Sequence, residues 1–154
     1  MYSTVLALHS LVRWLVLISL LVAIFCAYRG WLSKKKFSGF DNLVIYCTAT
    51  IVYLQLVLGL WLYFISPISN YFLHNFKTAV HQRDLRFFGM EHSIMMIAAT
   101  IMITIGSAKA KRRPTDDQKF RAMAIWFTIG FLIILTSVPW AFSPFTSRPY
   151  FRMV

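Results

Sequence analysis

Four apolar runs dominate this sequence, and each is long enough to cross a membrane. They cover roughly residues 5–28, 43–65, 88–108 and 122–142. At a rise of about 1.5 Å per residue, a helix of about 20 residues spans the ~30 Å hydrocarbon core of a bilayer. Four such spans in 154 residues leave no room for a separate soluble domain. The sequence therefore predicts one all-α domain over 1–154, an up-down-up-down bundle of four transmembrane helices.

The composition is that of a membrane protein. Hydrophobic residues make up 58% of the chain and charged residues 14%, against about 45–50% and about 25% in soluble domains. The net charge of +11 does not indicate nucleic-acid binding, because the basic residues lie in short loops between the spans. Cys26 and Cys47 form no C-x-x-C-H motif, which excludes covalent haem attachment. The lipid bilayer is therefore the first expected partner, and nucleic acid is not expected.

Lysine and arginine residues are unequally divided between the two sides of the predicted bundle. Ten lie in the two loops that join the first span to the second and the third to the fourth, and five lie on the other side. Because cytoplasmic loops carry the excess of basic residues, this pattern predicts that both termini lie outside. No basic segment or small-residue cleavage site precedes the first apolar run, so we expect that span to be retained.

The loop after the third span carries a helix-start signal. Pro114 interrupts the preceding helix, and Thr115 then precedes Asp116 and Asp117. A threonine followed by acidic residues is typical of an N-cap and the first helical turn. We therefore expect the fourth helix to begin in this loop, before it reaches the lipid.

The loop between the second and third spans is longer and amphipathic. Apolar residues recur in it at helical spacing, which predicts a short helix lying at the membrane interface. These residues are Phe72, Leu73, Phe76, Ala79 and Val80. His74 and His81, seven residues apart, share one face of this helix and are expected to face water or headgroups.

Two histidines lie at matching depth in spans that run in the same direction. His9 is about five residues into the first span and His92 about five residues into the third, so both lie ~6 Å below the outer boundary. In a simple four-helix bundle these spans are diagonal neighbours, roughly 11–14 Å apart, which leaves room for a porphyrin between them. We therefore predict one haem b whose iron is bound by His9 and His92.

Other polar residues surround this histidine pair. Arg13 lies one turn from His9, where it can pair with Glu91 or with a haem propionate. Gln55 and Gly59 share a face of the second span and offer hydrogen bonding and space to a flat cofactor. Simpler interpretations remain open: Arg13 and Glu91 as a structural ion pair, and Gln55 as an interhelical hydrogen bonder rather than a quinone ligand.

Three segments carry a resemblance to a known group: LHSLVRWLVL, QLVLGLWLYFISP and RFFGMEHSIMMIAATIMITIGSAKAKR. The chain resembles small bacterial four-helix inner-membrane proteins described as cytochrome b-like and, more remotely, one half of a haem A synthase. This resemblance implies a multi-pass protein of the bacterial inner membrane, with periplasmic termini and haem held at His9 and His92. The Glu-x-x-His-Arg motif of haem A synthase is absent, so synthase activity is not expected.

Three functions follow from these observations. The favoured one is a haem b membrane subunit that transfers electrons near the outer face, exchanges them with quinone and belongs to a respiratory complex. The alternative is a cofactor-free accessory subunit of a larger membrane complex. A third is a quinone or small-molecule carrier with Gln55, Arg13 and Glu91 around its pocket. An electron-transfer or accessory subunit is expected more than a stand-alone enzyme.

Overall fold

The computed structural model describes residues 1–140, and all its regular elements are helical. A π-helical turn, Phe87–Glu91, lies between the fifth and sixth α-helices. In chain order the α-helices are α1 (Tyr2–Leu32), α2 (Gly39–Ile65), α3 (Pro67–His74), α4 (Phe76–Ala79), α5 (Arg83–Arg86), α6 (His92–Arg112) and α7 (Asp116–Ser137).

Four helical segments of the described chain are long and apolar enough to cross a membrane, which confirms the predicted class. They are Tyr2–Leu32, Gly39–Ile65, Arg83–Arg112 and Asp116–Ser137. Most extend past the apolar runs because hydropathy marks the part suited to lipid, whereas backbone hydrogen bonding continues into the polar ends. The fourth begins before its apolar run, at Asp116, but it ends at Ser137 rather than at the expected residue 142, because Pro139 disfavours a helical residue before it. Residues 141–142 lie outside the described residues.

Side-chain caps fix where two of the spans begin. The Ser38 hydroxyl accepts a hydrogen bond from the backbone N–H of Asp41, and the Asp41 carboxylate accepts one from the backbone N–H of Ser38. This reciprocal pair is a capping box that satisfies two donors at the start of α2. At the start of α7, Thr115 accepts from the backbone N–H of Gln118, which confirms the predicted N-cap.

The four long helices form a ring in which each packs on two neighbours. α1 packs against α2 and α7, and α6 packs against the same two helices. α1 and α6 therefore lie at opposite corners of the bundle, as predicted for the first and third spans. The largest fully buried side chains fill its centre; they are Phe120, Phe127, Leu20, Ile45, Ile103, Met123 and Thr48.

Glycines allow α6 and α7 to approach closely. A Cβ added at Gly106 of α6 would lie 2.6 Å from Cβ of Trp126, and one added at Gly130 of α7 would lie 2.7 Å from Cγ1 of Ile103. Small residues at a helix interface bring backbones together and increase van der Waals contact, which drives helix association in lipid. The α6–α7 interface therefore depends on a glycine from each helix.

The connection from α2 to α6 divides into short helices. The expected single helix over 72–80 is split at Asn75 between α3 and α4. Phe72 and Ala79 are buried, whereas Leu73 and Phe76 are exposed. This connection covers the end of the bundle at which α1 and α6 begin.

Candidate functional site

Two adjoining cavities lie at the end of the bundle where α1 and α6 begin. The deep cavity, of about 80 Å³, extends inward to Thr100 and Ile134. The end cavity, of about 130 Å³, extends outward to Tyr2 and Ser69. The side chains that border both cavities are His9, Arg13, Tyr63, His92 and Ser93, together with Gly59. The structure thus brings His9 and His92 to one site from diagonal helices.

Gln55 holds His9 from the neighbouring helix. Its Nε2 donates to the backbone carbonyl of His9 at 3.0 Å and lies 3.3 Å from His9 Nε2. With the amide as donor, His9 Nε2 accepts and the ring hydrogen lies on Nδ1. Nδ1 of His9 and Oε1 of Gln55 are buried without a hydrogen-bond partner among the residues described. Two residues that line the deep cavity therefore each have one buried polar atom without a hydrogen-bond partner among the described residues.

His92 is oriented by the backbone of α7. Its Nδ1 donates to the carbonyl oxygen of Ser137 at 2.8 Å. Because a carbonyl only accepts, the ring hydrogen lies on Nδ1, and in the neutral ring Nε2 carries a lone pair. In metal-ligating histidines, the ring nitrogen that does not bind the metal commonly donates to a carbonyl in the same way. The Phe87 and Phe88 rings lie beside the imidazole, with centroids 5.7 and 6.5 Å from its own.

Gly59 allows the His9 ring to lie against α2. A Cβ at this position would be 3.2 Å from His9 Cε1, closer than an ordinary van der Waals contact. Gln55, Gly59 and Tyr63 are spaced four residues apart and so share one face of α2. The predicted placement of Gln55 and Gly59 at the site agrees with the structure.

The structure does not give Glu91 the role that was expected. Its carboxylate accepts a hydrogen bond from Nε of Arg86 at 2.6 Å, and it borders neither cavity described above. The ion pair of Glu91 is thus with Arg86, within the same connection, rather than with Arg13 across the bundle. The physical reason is the π-turn, which directs Glu91 toward Arg86. Arg13 remains at the site, where its guanidinium carbon lies 5.5 Å from the centroid of the Trp14 ring.

The remaining histidines are exposed and separate from this site. The Nδ1 of His74 donates to the carbonyl of Asn70 at 2.9 Å, and both His74 and His81 lie on the surface of the connection. Within residues 1–140, no group of three or more His, Cys, Asp or Glu side chains is placed to hold a metal ion. His9 and His92, which are partly buried, are therefore the imidazoles that a cofactor could use inside the described bundle.

Tyr63 and Ser137 are site residues that sequence reasoning missed. Tyr63 borders both cavities and donates from its hydroxyl to the carbonyl oxygen of Gly89 at 2.8 Å. Its spacing from Gln55 and Gly59 is the signal that could have identified it. Ser137 acts through its backbone carbonyl, for which the sequence carries no signal.

The donors at this site suit a haem, whereas the present space does not. Pockets that hold small molecules usually measure about 300–1,000 Å³, and each cavity here is much smaller. The side chains of His9 and His92 border both cavities. A macrocycle at this site therefore requires some separation of the helices.

Comparison of the chain with family models, with curated proteins and with solved structures finds no match. The residues of the site and their geometry are therefore the basis for inferring a function.

Proposed function

We propose that this chain is a haem b-binding membrane subunit that transfers electrons near one face of the membrane. The observation that carries the proposal is the pairing of His9 and His92. They come from diagonal helices, lie at the same end of the bundle and border the same two cavities. Histidine is a common ligand of haem iron, so two imidazoles at one site are a donor set that suits a haem.

Each polar residue of the site has a role in this proposal. His92 would hold the haem iron through Nε2, since its Nδ1 donates to the Ser137 carbonyl. His9 would hold it from the diagonal helix, with its backbone carbonyl still accepting from the Gln55 amide. Arg13 borders both cavities, and its guanidinium is the group we assign to a propionate. A haem bound by two histidines supplies a one-electron couple without an open coordination position.

Charge distribution supports the placement of the site in the cell. The two loops at the opposite end of the bundle carry ten lysine and arginine residues, which favours that end as the cytoplasmic one. We therefore propose that the histidines lie near the periplasmic face of the bacterial inner membrane, with α3 and α4 at the interface. One haem near one face does not relay electrons across the bilayer, so quinone and other subunits of a respiratory complex are the proposed partners.

Haem content of purified variants tests this proposal. His9→Ala and His92→Ala should each lose haem, because one imidazole does not replace the pair. His74→Ala and His81→Ala are matched controls, since these histidines are exposed and lie apart from the cavities; both variants should keep the haem of the wild type. Full haem content in His9→Ala or His92→Ala would overturn the assignment of the ligands.

The small size of the cavities favours a second function, that of a cofactor-free accessory subunit. Volumes of about 80 and 130 Å³ are compatible with a bundle whose centre is filled by its own side chains. Under this function, the purified wild-type protein is colourless, and all four histidine variants behave alike.

The unused polar atoms at the site favour a third function, that of a quinone carrier. Nδ1 of His9 is a donor for a quinone carbonyl, and Oε1 of Gln55 is an acceptor for a quinol hydroxyl. Arg13 also borders the deep cavity, whereas Glu91 does not. Under this function Gln55→Leu abolishes quinone binding, and the protein contains no haem.

A further inference from the structure

A π-helical turn directly precedes His92. It covers Phe87–Glu91 and ends with a hydrogen bond from the backbone N–H of His92 to the carbonyl of Phe87, five residues earlier. Single π-turns within α-helices are rare and frequently lie at functional sites. The turn in this chain ends at the histidine that borders both cavities.

The π-turn changes the direction in which His92 points. Each residue advances an α-helix by about 100°, so the extra residue of a π-turn rotates all that follows relative to what precedes it. If residues 87–91 were ordinary α-helix, α6 would be rotated about its own axis relative to α5 and to the connection that covers this end of the bundle. His92 would then not face the Ser137 carbonyl and the cavities together.

Two contacts hold the turn at Gly89. The carbonyl of Gly89 accepts a hydrogen bond from the hydroxyl of Tyr63 on α2, at 2.8 Å. The absence of a side chain at Gly89 lets the ring of buried Phe72 lie against its Cα, since an added Cβ would be 2.3 Å from Phe72 Cγ. The turn is therefore fixed on one side by α2 and on the other by α3.

An ion pair closes the same turn. Nε of Arg86 donates to Glu91, and Nη1 of Arg86 donates to the carbonyl of Val80 at 3.2 Å. Arg86 and Glu91 are five residues apart, a spacing that matches the π-turn and not the i,i+3 or i,i+4 neighbours of an α-helix. The contact thus favours the π geometry over the α alternative.

We infer that Tyr63 and Gly89 are positioning residues for His92, because they hold the π-turn that aims its imidazole into the cavities. The functional importance of this π-turn rests on the proposed cofactor site. The position of His92 can be measured whether or not a cofactor is bound. Gly89→Ala should displace His92, since the new methyl group collides with Phe72. Gly89→Ala combined with Phe72→Ala should restore it, because the second change removes the colliding ring.

The ring nitrogens of His92 provide the readout. In full-length protein labelled with ¹⁵N-histidine and reconstituted in lipid bilayers, solid-state NMR distinguishes a ring with its hydrogen on Nδ1 from other forms. His92→Gln assigns the signal. Gly39→Ala is the matched control for Gly89→Ala, since a Cβ at Gly39 meets nothing within 4 Å. Tyr53→Phe is the control for Tyr63→Phe, because Tyr53 also links α2 to α6, through Thr104 at 2.9 Å.

We expect Gly89→Ala to lose the wild-type His92 signal and both controls to keep it. Tyr63→Phe should raise the displaced fraction of His92 about fivefold, the effect of losing one hydrogen bond. If Gly89→Ala does not fold, the His92 signal of Tyr63→Phe alone tests the inference. A wild-type His92 signal in both Gly89→Ala and Tyr63→Phe would overturn the inference. Absence of haem from the wild type would refute the proposed function and leave this measurement intact.

Discussion

Gly106→Ala tests the close packing of α6 on α7 most severely. The added Cβ would lie 2.6 Å from Cβ of Trp126 and 3.1 Å from Cδ1 of Phe127. Because Cβ of Trp126 is attached directly to the backbone of α7, no rotamer change relieves the contact. The helices must separate by most of an ångström before the contact becomes an ordinary one.

The expected loss of stability follows from two opposing terms. Overpacking a well-packed interior costs about 1–3 kcal/mol. Replacing glycine by alanine inside a helix returns about 1 kcal/mol through helix propensity. Because the contact with Trp126 is rigid, the cost falls in the upper part of its range. We therefore expect Gly106→Ala to lower the free energy of unfolding by about 1–2 kcal/mol.

Reversible unfolding in mixed detergent micelles, followed by circular dichroism, measures this change. Gly39→Ala is the control, since it adds the same methyl group where nothing lies within 4 Å. Its free energy of unfolding should stay within about 0.5 kcal/mol of the wild type. If Gly106→Ala is as stable as Gly39→Ala, the interface of α6 and α7 tolerates the added methyl group, and the predicted overpacking is refuted.

Three further predictions concern the ends and the interior of the bundle, and each uses the same unfolding measurement. Ser38→Ala removes the capping box of α2 and should cost about 1 kcal/mol, and an unchanged stability would contradict the role of the cap. Gln55→Leu removes the hydrogen bond to the backbone of His9 and should lower the free energy of unfolding by about 0.6 kcal/mol, the average for interhelical hydrogen bonds in a membrane. A loss above about 2 kcal/mol would contradict this expectation. Asp117→Asn breaks an ion pair between Asp117, whose side chain is 41% exposed, and Lys34, whose side chain is 72% exposed. It should lower the free energy of unfolding by less than about 1 kcal/mol, and by less still in high salt. A larger, salt-independent loss would contradict this expectation.

The sequence predicts the spans well because lipid imposes a simple rule on length and hydropathy. The same rule does not give the helix ends, which depend on local chemistry: Thr115 was predictable as a cap, whereas the effect of Pro139 on the end of α7 was overlooked. The diagonal arrangement of α1 and α6 was predictable from their parallel direction and short loops. Matching depth then placed His9 and His92 at one end, as the structure has them.

Rotation about the helix axes could not be predicted, because these spans are apolar on all sides and present no polar face to orient them. Contacts that depend on rotation were missed for this reason, including the bond from His92 to the Ser137 carbonyl. The sequence offers Arg13 two partners, Glu91 or a haem propionate, and it carries no signal for the π-turn before His92. That turn places Glu91 beside Arg86, five residues earlier.

An absorption spectrum of the purified wild-type protein, recorded before and after reduction and followed by pyridine extraction, tests whether this chain binds haem b. Reduction should give the bands of a b-type haem, and extraction should yield one haem for each chain. A pure, folded and colourless protein that yields no haem on extraction would contradict this prediction.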